Sequence, residues 1–135
     1  MSGRTLTRKP KIVISTTDHD RLATLAVGAA RRFPAVTEAL QTELARAKLV
    51  DGDALPDDAI RMGSVVTYRV DDEPARTVTL VYPAEADIDA RRISILTPIG
   101  AALLGLSPGQ TMPWTTNAGD VKRLLIVAVD NEAER

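Results

Sequence analysis

Cysteine is absent from this chain of 135 residues, and aromatic residues make up only 3% of it. Without cysteine the chain has no disulfide bond, no thiolate nucleophile and no cysteine-bound zinc, so a reducing cytoplasm is the simplest compartment. The aromatic residues are Phe33, Tyr68, Tyr82 and Trp114. So small a set predicts an aliphatic core and argues against a pocket caged by aromatic rings.

Long apolar runs are missing as well. No stretch reaches the roughly 18 apolar residues that a membrane-spanning helix needs. Four Lys or Arg residues occur in the first eleven positions, but only Ile12-Val13-Ile14 follows them, which is too short for the apolar part of an export signal. We therefore expect residues 1–16 to form a basic tail and a short strand, and we expect no membrane association.

Residues with catalytic chemistry show no recognisable arrangement. The one histidine, His19, lies between two aspartates in the first turn of a predicted helix, where we expect it to be solvated. No Gly-rich phosphate loop occurs. The acidic clusters at 51–58, 71–73 and 85–89 fall in predicted loops and lack the spacing of an EF-hand. We predict no catalytic residue, no metal and no cofactor.

The net charge of -1 hides a split between the two halves of the chain. Residues 1–50 contain nine Lys/Arg and four Asp/Glu residues, whereas residues 51–135 contain eight and fourteen. An asymmetry of this kind suggests that the two halves face different partners. A protein that coats DNA uniformly would be more basic overall.

Two amphipathic helices are predicted in the first half. Thr17, with Asp20 three residues later, approximates a capping box and begins the first helix, which Pro34 ends. A second helix is predicted over residues 35–50. Residues 17–50 should fold back as an antiparallel hairpin, about 24 Å long at about 1.5 Å per residue. Its apolar stripes are Leu22, Leu25, Ala26, Ala29 and Phe33 on one helix and Val36, Leu40, Leu44 and Ala47 on the other.

The periodicity changes after the acidic, turn-rich segment 51–61, which we interpret as a linker. Alternating apolar residues predict strands and a hairpin between Val66 and Tyr82, and three further strands are predicted at 93–95, 112–115 and 124–129. The last strand is a continuous aliphatic run, which indicates a central position with burial on both faces. Thr97-Pro98 begins a short helix that Gly105 ends.

These elements predict an α+β protein with two parts. The hairpin over residues 17–50 precedes an antiparallel β-domain over residues 62–130, which has five strands and one short helix. Residues 131–135 are predicted to be a tail.

Two strings in the second half resemble a known family. Residues 80–87 read LVYPAEAD, and residues 93–105 read ISILTPIGAALLG. They are similar to the E-A-D and I-S-x-x-[ST]-P-x-x-x-x-L-x-G patterns in the C-terminal domain of the bacterial GreA/GreB transcript cleavage factors. The resemblance covers roughly residues 62–129. Within this superfamily the Tyr82-Pro83 pair, the PIGAALLG string and the short N-terminal half look most like the Rnk family, the regulators of nucleoside diphosphate kinase.

The resemblance implies an FKBP-like fold for the second half and a regulator that binds bacterial RNA polymerase at the rim of its secondary channel. It implies weak or absent direct nucleic-acid contact. We expect a monomer, although the sequence leaves the oligomeric state open. The family's docking segment corresponds to Leu96, Thr97 and Pro98, and Asp87 of the E-A-D motif is a further candidate contact. Leu96 replaces an acidic or amide residue of the family pattern, which implies that one polar contact to polymerase differs.

The hairpin tip, Arg31-Arg32-Phe33-Pro34, departs from the cleavage factors. Gre factors hold two acidic residues there that help to coordinate a catalytic magnesium ion, whereas Glu38 is the nearest carboxylate here. Arg beside an aromatic residue is typical of a partner contact, although Phe33 can also simply close the end of the hairpin core. The resemblance and this departure together predict that the protein competes with Gre factors without stimulating transcript cleavage.

Two other functions stay open at this stage. FKBP-like folds include peptidyl-prolyl isomerases, but those enzymes use an aromatic-lined pocket, and fold alone does not carry function. The second alternative is a module that binds nucleic acid directly through the basic N-terminal half. Its affinity for nucleic acid would fall steeply as the salt concentration rises.

Overall fold

The computed structural model describes residues 9–116 and 118–131. In this part of the chain the helices are α1 (Thr16–Ala29), α2 (Pro34–Arg46) and α3 (Pro98–Leu103). The strands are β1 (Val13–Ser15), β2 (Lys48–Val50), β3 (Val65–Val70), β4 (Arg76–Val81), β5 (Arg92–Ser94), β6 (Thr111–Thr115) and β7 (Val121–Asp130). These elements confirm the α+β class. Residues 1–8 and 132–135 of the two predicted tails lie outside the described residues.

Helix α1 begins two residues earlier than the sequence predicts. Its N-cap is Ser15, whose hydroxyl accepts a hydrogen bond from the backbone N–H of Asp18 at 3.1 Å. The prediction of Thr17 as the cap is therefore wrong. Pairing of β1 with β2 keeps the backbone extended through Ser15, so the first residue free to turn into the helix is Thr16.

Helix α2 is shorter than predicted because its last residues join a strand. It ends at Arg46, and Lys48–Val50 pair in parallel with Val13–Ser15 instead of continuing the helix. The prediction of a helix to Val50 is wrong for these residues. The two helices still pack against each other as a hairpin. The thirteen residues of α2 span about 20 Å at about 1.5 Å per residue, less than the predicted 24 Å.

The larger sheet has the strand order β5-β4-β3-β7-β6. Neighbouring strands are antiparallel except for β4 and β5, which are parallel with Thr79 opposite Arg92. The expectation of a purely antiparallel sheet is wrong for this pair. The connection 82–91, which contains the 3-10 turns Pro83–Glu85 and Ile88–Ala90, returns the chain to the level of Thr79 before β5 begins.

Strand β7 lies between two neighbours, but only one of its faces is buried. Leu124 and Ile126 point into the core, whereas Val121 and Val127 are exposed. The prediction of burial on both faces is therefore wrong. A continuous aliphatic run does not by itself show that a second layer covers the sheet.

One hydrophobic core joins the hairpin to the sheet. Its buried members from the hairpin side are Ile12, Ile14, Leu22, Ala26, Leu40 and Leu44, and those from the rest of the chain include Ile60, Val66, Leu80, Ile95, Leu103 and Ile126. The second half of the predicted linker belongs to this core. Ala59 and Ile60 are buried, and the backbone of Ile60 exchanges hydrogen bonds with Leu106 and Gly105 at 2.8 and 3.0 Å.

Gly105 lies where the N-terminal segment crosses the end of α3. Its φ of +82° and a distance of only 2.8 Å from a built Cβ atom to the Ile12 Cβ atom both require glycine. The backbone N–H of Val13 donates to the carbonyl of Gly105 at 3.2 Å. The hairpin is thus fixed to the body at its base as well as along its length. None of the helices in the described ranges is long and apolar enough to cross a membrane.

Candidate functional site

The hairpin tip is an exposed turn between α1 and α2. The backbone N–H groups of Arg32 and Phe33 both donate to the carbonyl of Ala29, which closes the turn. The Phe33 side chain is 44% exposed, and the guanidinium of Arg32 lies 5.6 Å from the centre of its ring. Phe33 therefore does not close the hairpin core. It remains available at the surface together with Arg31 and Arg32.

Glu38 lies on α2, one turn beyond Pro34, and its side chain is exposed. In the described part of the chain no group of three His, Cys, Asp or Glu residues is placed to hold a metal ion. The tip thus presents cations and one aromatic ring, with a single carboxylate further along the helix.

The predicted docking segment, residues 96–98, is held by hydrogen bonds at the start of α3. The Thr97 hydroxyl donates to the carbonyl of Ser94 at 2.7 Å and accepts from the N–H of Gly100 at 3.1 Å, so it is the N-cap of the helix. The helix ends at Leu103, one residue before the predicted end. A Cβ atom at Gly100 would lie 2.2 Å from the Ser94 carbonyl oxygen, which shows how tightly the turn is packed.

The hairpin tip and the docking segment line a single groove. This groove has a volume of about 310 Å³. Its walls are Phe33, Pro34, Ala35 and Val36 from the hairpin and Leu96, Thr97 and Pro98 from the body. Helix α2 packs against α3, and this contact holds the two walls together. Except for the Thr97 hydroxyl, the side chains of the groove are apolar.

Asp87 does not belong to this groove. Its carboxylate accepts hydrogen bonds from the backbone N–H groups of Asp89 and Ala90 at 3.1 and 3.4 Å, so it caps the turn Ile88–Ala90. Its backbone also forms a bridge with Arg92. The structure gives Asp87 a local structural role and does not bring it to the docking segment.

A second cleft continues from the groove, because Pro98 lines both. It has a volume of about 180 Å³ and lies between α2, α3 and β6. At its base the buried carboxylate of Glu43 accepts hydrogen bonds from Lys9 Nζ and Arg46 Nε, each at 2.6 Å. The Trp114 indole N–H lines this cleft and is buried without a hydrogen-bond partner among the described residues.

Sequence reasoning missed Glu43 and Trp114. A signal for Glu43 was present, because it follows Leu40 by three residues and therefore falls on the apolar stripe of α2. A charged residue on such a stripe indicates a buried ion pair. Trp114 had no comparable signal, since its neighbours across the cleft come from α2 and α3.

Tyr82 and Arg21 connect α1 to the β-domain. The Arg21 guanidinium lies 5.8 Å from the centre of the Tyr82 ring. Burial raises the pKa of the Tyr82 phenol above its ordinary value of 10.0, and the negative charge of Asp18 raises it further, while Arg21 acts in the opposite direction. Asp18 also accepts a hydrogen bond from the N–H of Met62 at 3.5 Å, so this contact fixes the first turn of α1 to the body.

Two protein families match different parts of the chain. Residues 55–131 match the family described as "Transcription elongation factor, GreA/GreB, C-term", and residues 10–50 match the family described as "Rnk N-terminus". Together they cover both the hairpin and the β-domain.

Individual relatives agree with these matches. The chain is 32% identical over 127 residues to the "Regulator of nucleoside diphosphate kinase" of Escherichia coli K12, covering 93% of each chain. It is 38% identical over 88 residues to the GreA transcription elongation factor of Roseiflexus castenholzii, but those residues cover only 56% of that relative.

A solved structure extends the agreement to the fold. The "Prokaryotic transcription elongation factor GreA/GreB from Nitrosomonas europaea" superposes with a TM-score of 0.71 and 41% identity, covering 90% of this chain and 99% of that one. The hairpin, the curled sheet and the short helix are therefore the GreA/GreB-like arrangement, while the more specific FKBP-like description stays a prediction. The chain belongs to the Rnk branch of the GreA/GreB family and is a regulator of the transcription-elongation-factor type.

Proposed function

We propose that the protein binds RNA polymerase at the rim of the secondary channel and competes there with Gre-type factors without stimulating transcript cleavage. The proposal is supported by one observation above all. The docking segment, which the family resemblance assigns to polymerase contact, lies in a hydrogen-bonded, partly exposed turn and shares its groove with the hairpin tip.

The chemistry of the tip argues against a role in cleavage. The Gre mechanism implied by the resemblance needs two carboxylates near a magnesium ion, and this tip carries Arg31 and Arg32 with Glu38 as the nearest acid. Two cations repel a metal ion, and a single carboxylate supplies few ligands for one. Binding without stimulated cleavage is the function that these residues support.

The position of the hairpin argues the same way. Helix α2 spans about 20 Å and packs against α3, so its N-terminal end lies beside the docking segment. A probe that reaches a distant active site would extend away from the surface that docks. Here the hairpin broadens that surface instead.

The enzyme alternative gains no support from the groove or the second cleft. The groove at the tip contains one aromatic ring, that of Phe33, and the second cleft contains one, that of Trp114. Neither provides the aromatic-lined pocket that a prolyl isomerase uses.

A competition experiment tests the proposal. Purified core RNA polymerase is titrated with labelled protein, and unlabelled GreA is added as competitor. We expect saturable binding that GreA displaces, and we expect Thr97→Arg, which puts a bulky charge into the groove, to lose most of it. Thr24→Arg is the matched control, because Thr24 is exposed on α1 and does not line the groove.

A cleavage assay on stalled elongation complexes completes the test. We expect the protein to leave the stalled transcript intact at concentrations that displace GreA. Shortening of the transcript by the purified protein, or absence of any polymerase binding, would contradict the proposal.

A further inference from the structure

We propose that the hairpin tip is itself a docking element. Phe33 and its groove receive an apolar side chain from a segment of the polymerase, and acidic residues flank that side chain within the segment. This inference rests on the proposed function and adds the chemistry of the contact. It assigns a binding role to the part of the molecule that lacks the acidic pair of the cleavage factors.

The Phe33 side chain is exposed at the hairpin tip. Tyr68 is buried, Tyr82 and Trp114 are partly buried, and Phe33 alone among the aromatic residues is 44% exposed. Its ring stands at the edge of a groove whose other walls include Pro34, Val36 and Leu96. An aromatic side chain beside an apolar groove is the usual anchor of a protein interface, because closing the groove removes much apolar area from water.

Unpaired positive charge lies next to the groove at the hairpin tip. Arg31 and Arg32 are exposed, and no carboxylate of the described residues forms an ion pair with either of them. Positions 30–37 contain no acidic residue at all. The unpaired guanidinium groups therefore favour a partner segment with acidic residues, and they can form bidentate hydrogen bonds with its carboxylates.

The groove connects the hairpin tip to the docking segment. Phe33 and Pro34 are on the same groove as Thr97 and Pro98, so a segment that contacts the docking segment meets the tip as well. The arginines lie at one end of this surface, and the second cleft continues from it at Pro98. One extended polymerase segment with an apolar residue between acidic ones fits this arrangement.

The test compares tip variants with matched controls in the polymerase titration described above. Phe33→Ala is expected to raise the Kd about tenfold or more, as truncation of an interface anchor does, and Phe33→Leu is expected to raise it less. Val27→Ala is the control, since Val27 is a large exposed apolar residue on α1 outside the groove. Thermal unfolding of each variant confirms that it is folded.

The charge contribution has its own pair of variants. The double change Arg31→Glu and Arg32→Glu is expected to weaken binding strongly and to reduce its dependence on salt. Lys11→Glu with Lys48→Glu makes the same change in net charge, and Lys48 lies beyond the opposite end of α2. This control is expected to have a much smaller effect.

The outcomes separate the two proposals. If wild-type protein binds polymerase and Thr97→Arg abolishes binding, but both sets of tip variants bind like their controls, the tip is not a docking element and the proposed function stands. If the wild-type protein fails to bind polymerase, both are overturned. Loss of binding by the tip variants alone, with the controls intact, supports the inference.

Discussion

Phe33 at the hairpin tip and Pro98 at the start of α3 line the same groove. The family resemblance gives these two places separate tasks, since it assigns polymerase contact to the docking segment and magnesium coordination in the cleavage factors to the tip. In this protein they form one surface, because α2 is short and packs against α3.

Replacement of Ser15 tests the start of α1. Ser15→Ala removes the hydroxyl that accepts from the N–H of Asp18, so we expect a loss of about 1 kcal/mol in the free energy of unfolding. Thr17→Ala changes the residue that the sequence pattern favours as the cap, and we expect a smaller loss. Urea unfolding of both variants measures the difference, and a larger loss for Thr17→Ala would contradict the observed cap.

Two helical glycines should respond to alanine with opposite signs. Gly100→Ala places a Cβ atom 2.2 Å from the Ser94 carbonyl oxygen, so α3 must shift, and we expect a loss of about 1–3 kcal/mol. Gly28→Ala meets nothing within 4 Å and raises helix propensity, so we expect a gain of up to about 1 kcal/mol. The melting temperatures of the two variants should therefore move in opposite directions from wild type.

Glu43→Ala should be the most damaging of the charge deletions on α2. It leaves Lys9 and Arg46 without their shared carboxylate and opens a void at the base of the second cleft. Because both cations stay partly exposed, we expect a loss of about 2–3 kcal/mol, below the usual figure for a fully buried pair. Glu38→Ala on the exposed face of the same helix is the control and should change stability by less than about 0.5 kcal/mol. Equal effects in denaturant unfolding would show that the ion pair contributes nothing.

We expect the folded protein to lose stability in strong alkali because of Tyr68 and Tyr82. Burial is the main cause that raises the pKa values of Tyr68 and Tyr82 above 10.0 in the folded protein. The folded state therefore holds the phenolic protons more tightly than the unfolded state does. Their contribution to stability is complete below pH 10 and falls as the pH rises from there through the folded pKa values.

Phenolate absorbance during an alkaline titration measures this shift directly. We expect the midpoint in native protein to lie above that of the urea-unfolded chain. Tyr82→Phe should reduce the alkaline loss of stability, since one of the two groups no longer titrates. A native midpoint at or below pH 10 would contradict the burial of these phenols.

Local sequence signals predicted the elements whose determinants are local. Thr97 and Pro98 form a cap and first helical turn within four residues, and α3 begins where this pattern places it. Pro34 takes the first position of α2, as proline often does, but the prediction that it also ends the first helix is wrong, because α1 already ends at Ala29. The cap and first turn of α3 depend on neighbouring residues in the chain and can therefore be predicted without knowledge of the fold.

Features that depend on distant residues were not predictable. Lys48–Val50 continue a helical pattern, but pairing with Val13–Ser15 converts them to strand. The parallel pair of β4 and β5 depends on how the connection 82–91 folds, which alternation of apolar residues does not reveal. The same applies to the groove: the sequence indicates both the tip and the docking segment, but only the packing of α2 on α3 shows that they meet.

The core shared by hairpin and sheet has a consequence for the entropy of association. A hairpin on a free hinge would lose its swinging motion when it docks, and that ordering would weaken binding. Here Ile12, Leu40 and Leu44 fix the hairpin in the same core as Leu80 and Leu103 before any partner arrives. The groove is therefore preorganised, and substitutions deep in this core should lower affinity by loosening a surface that they do not touch.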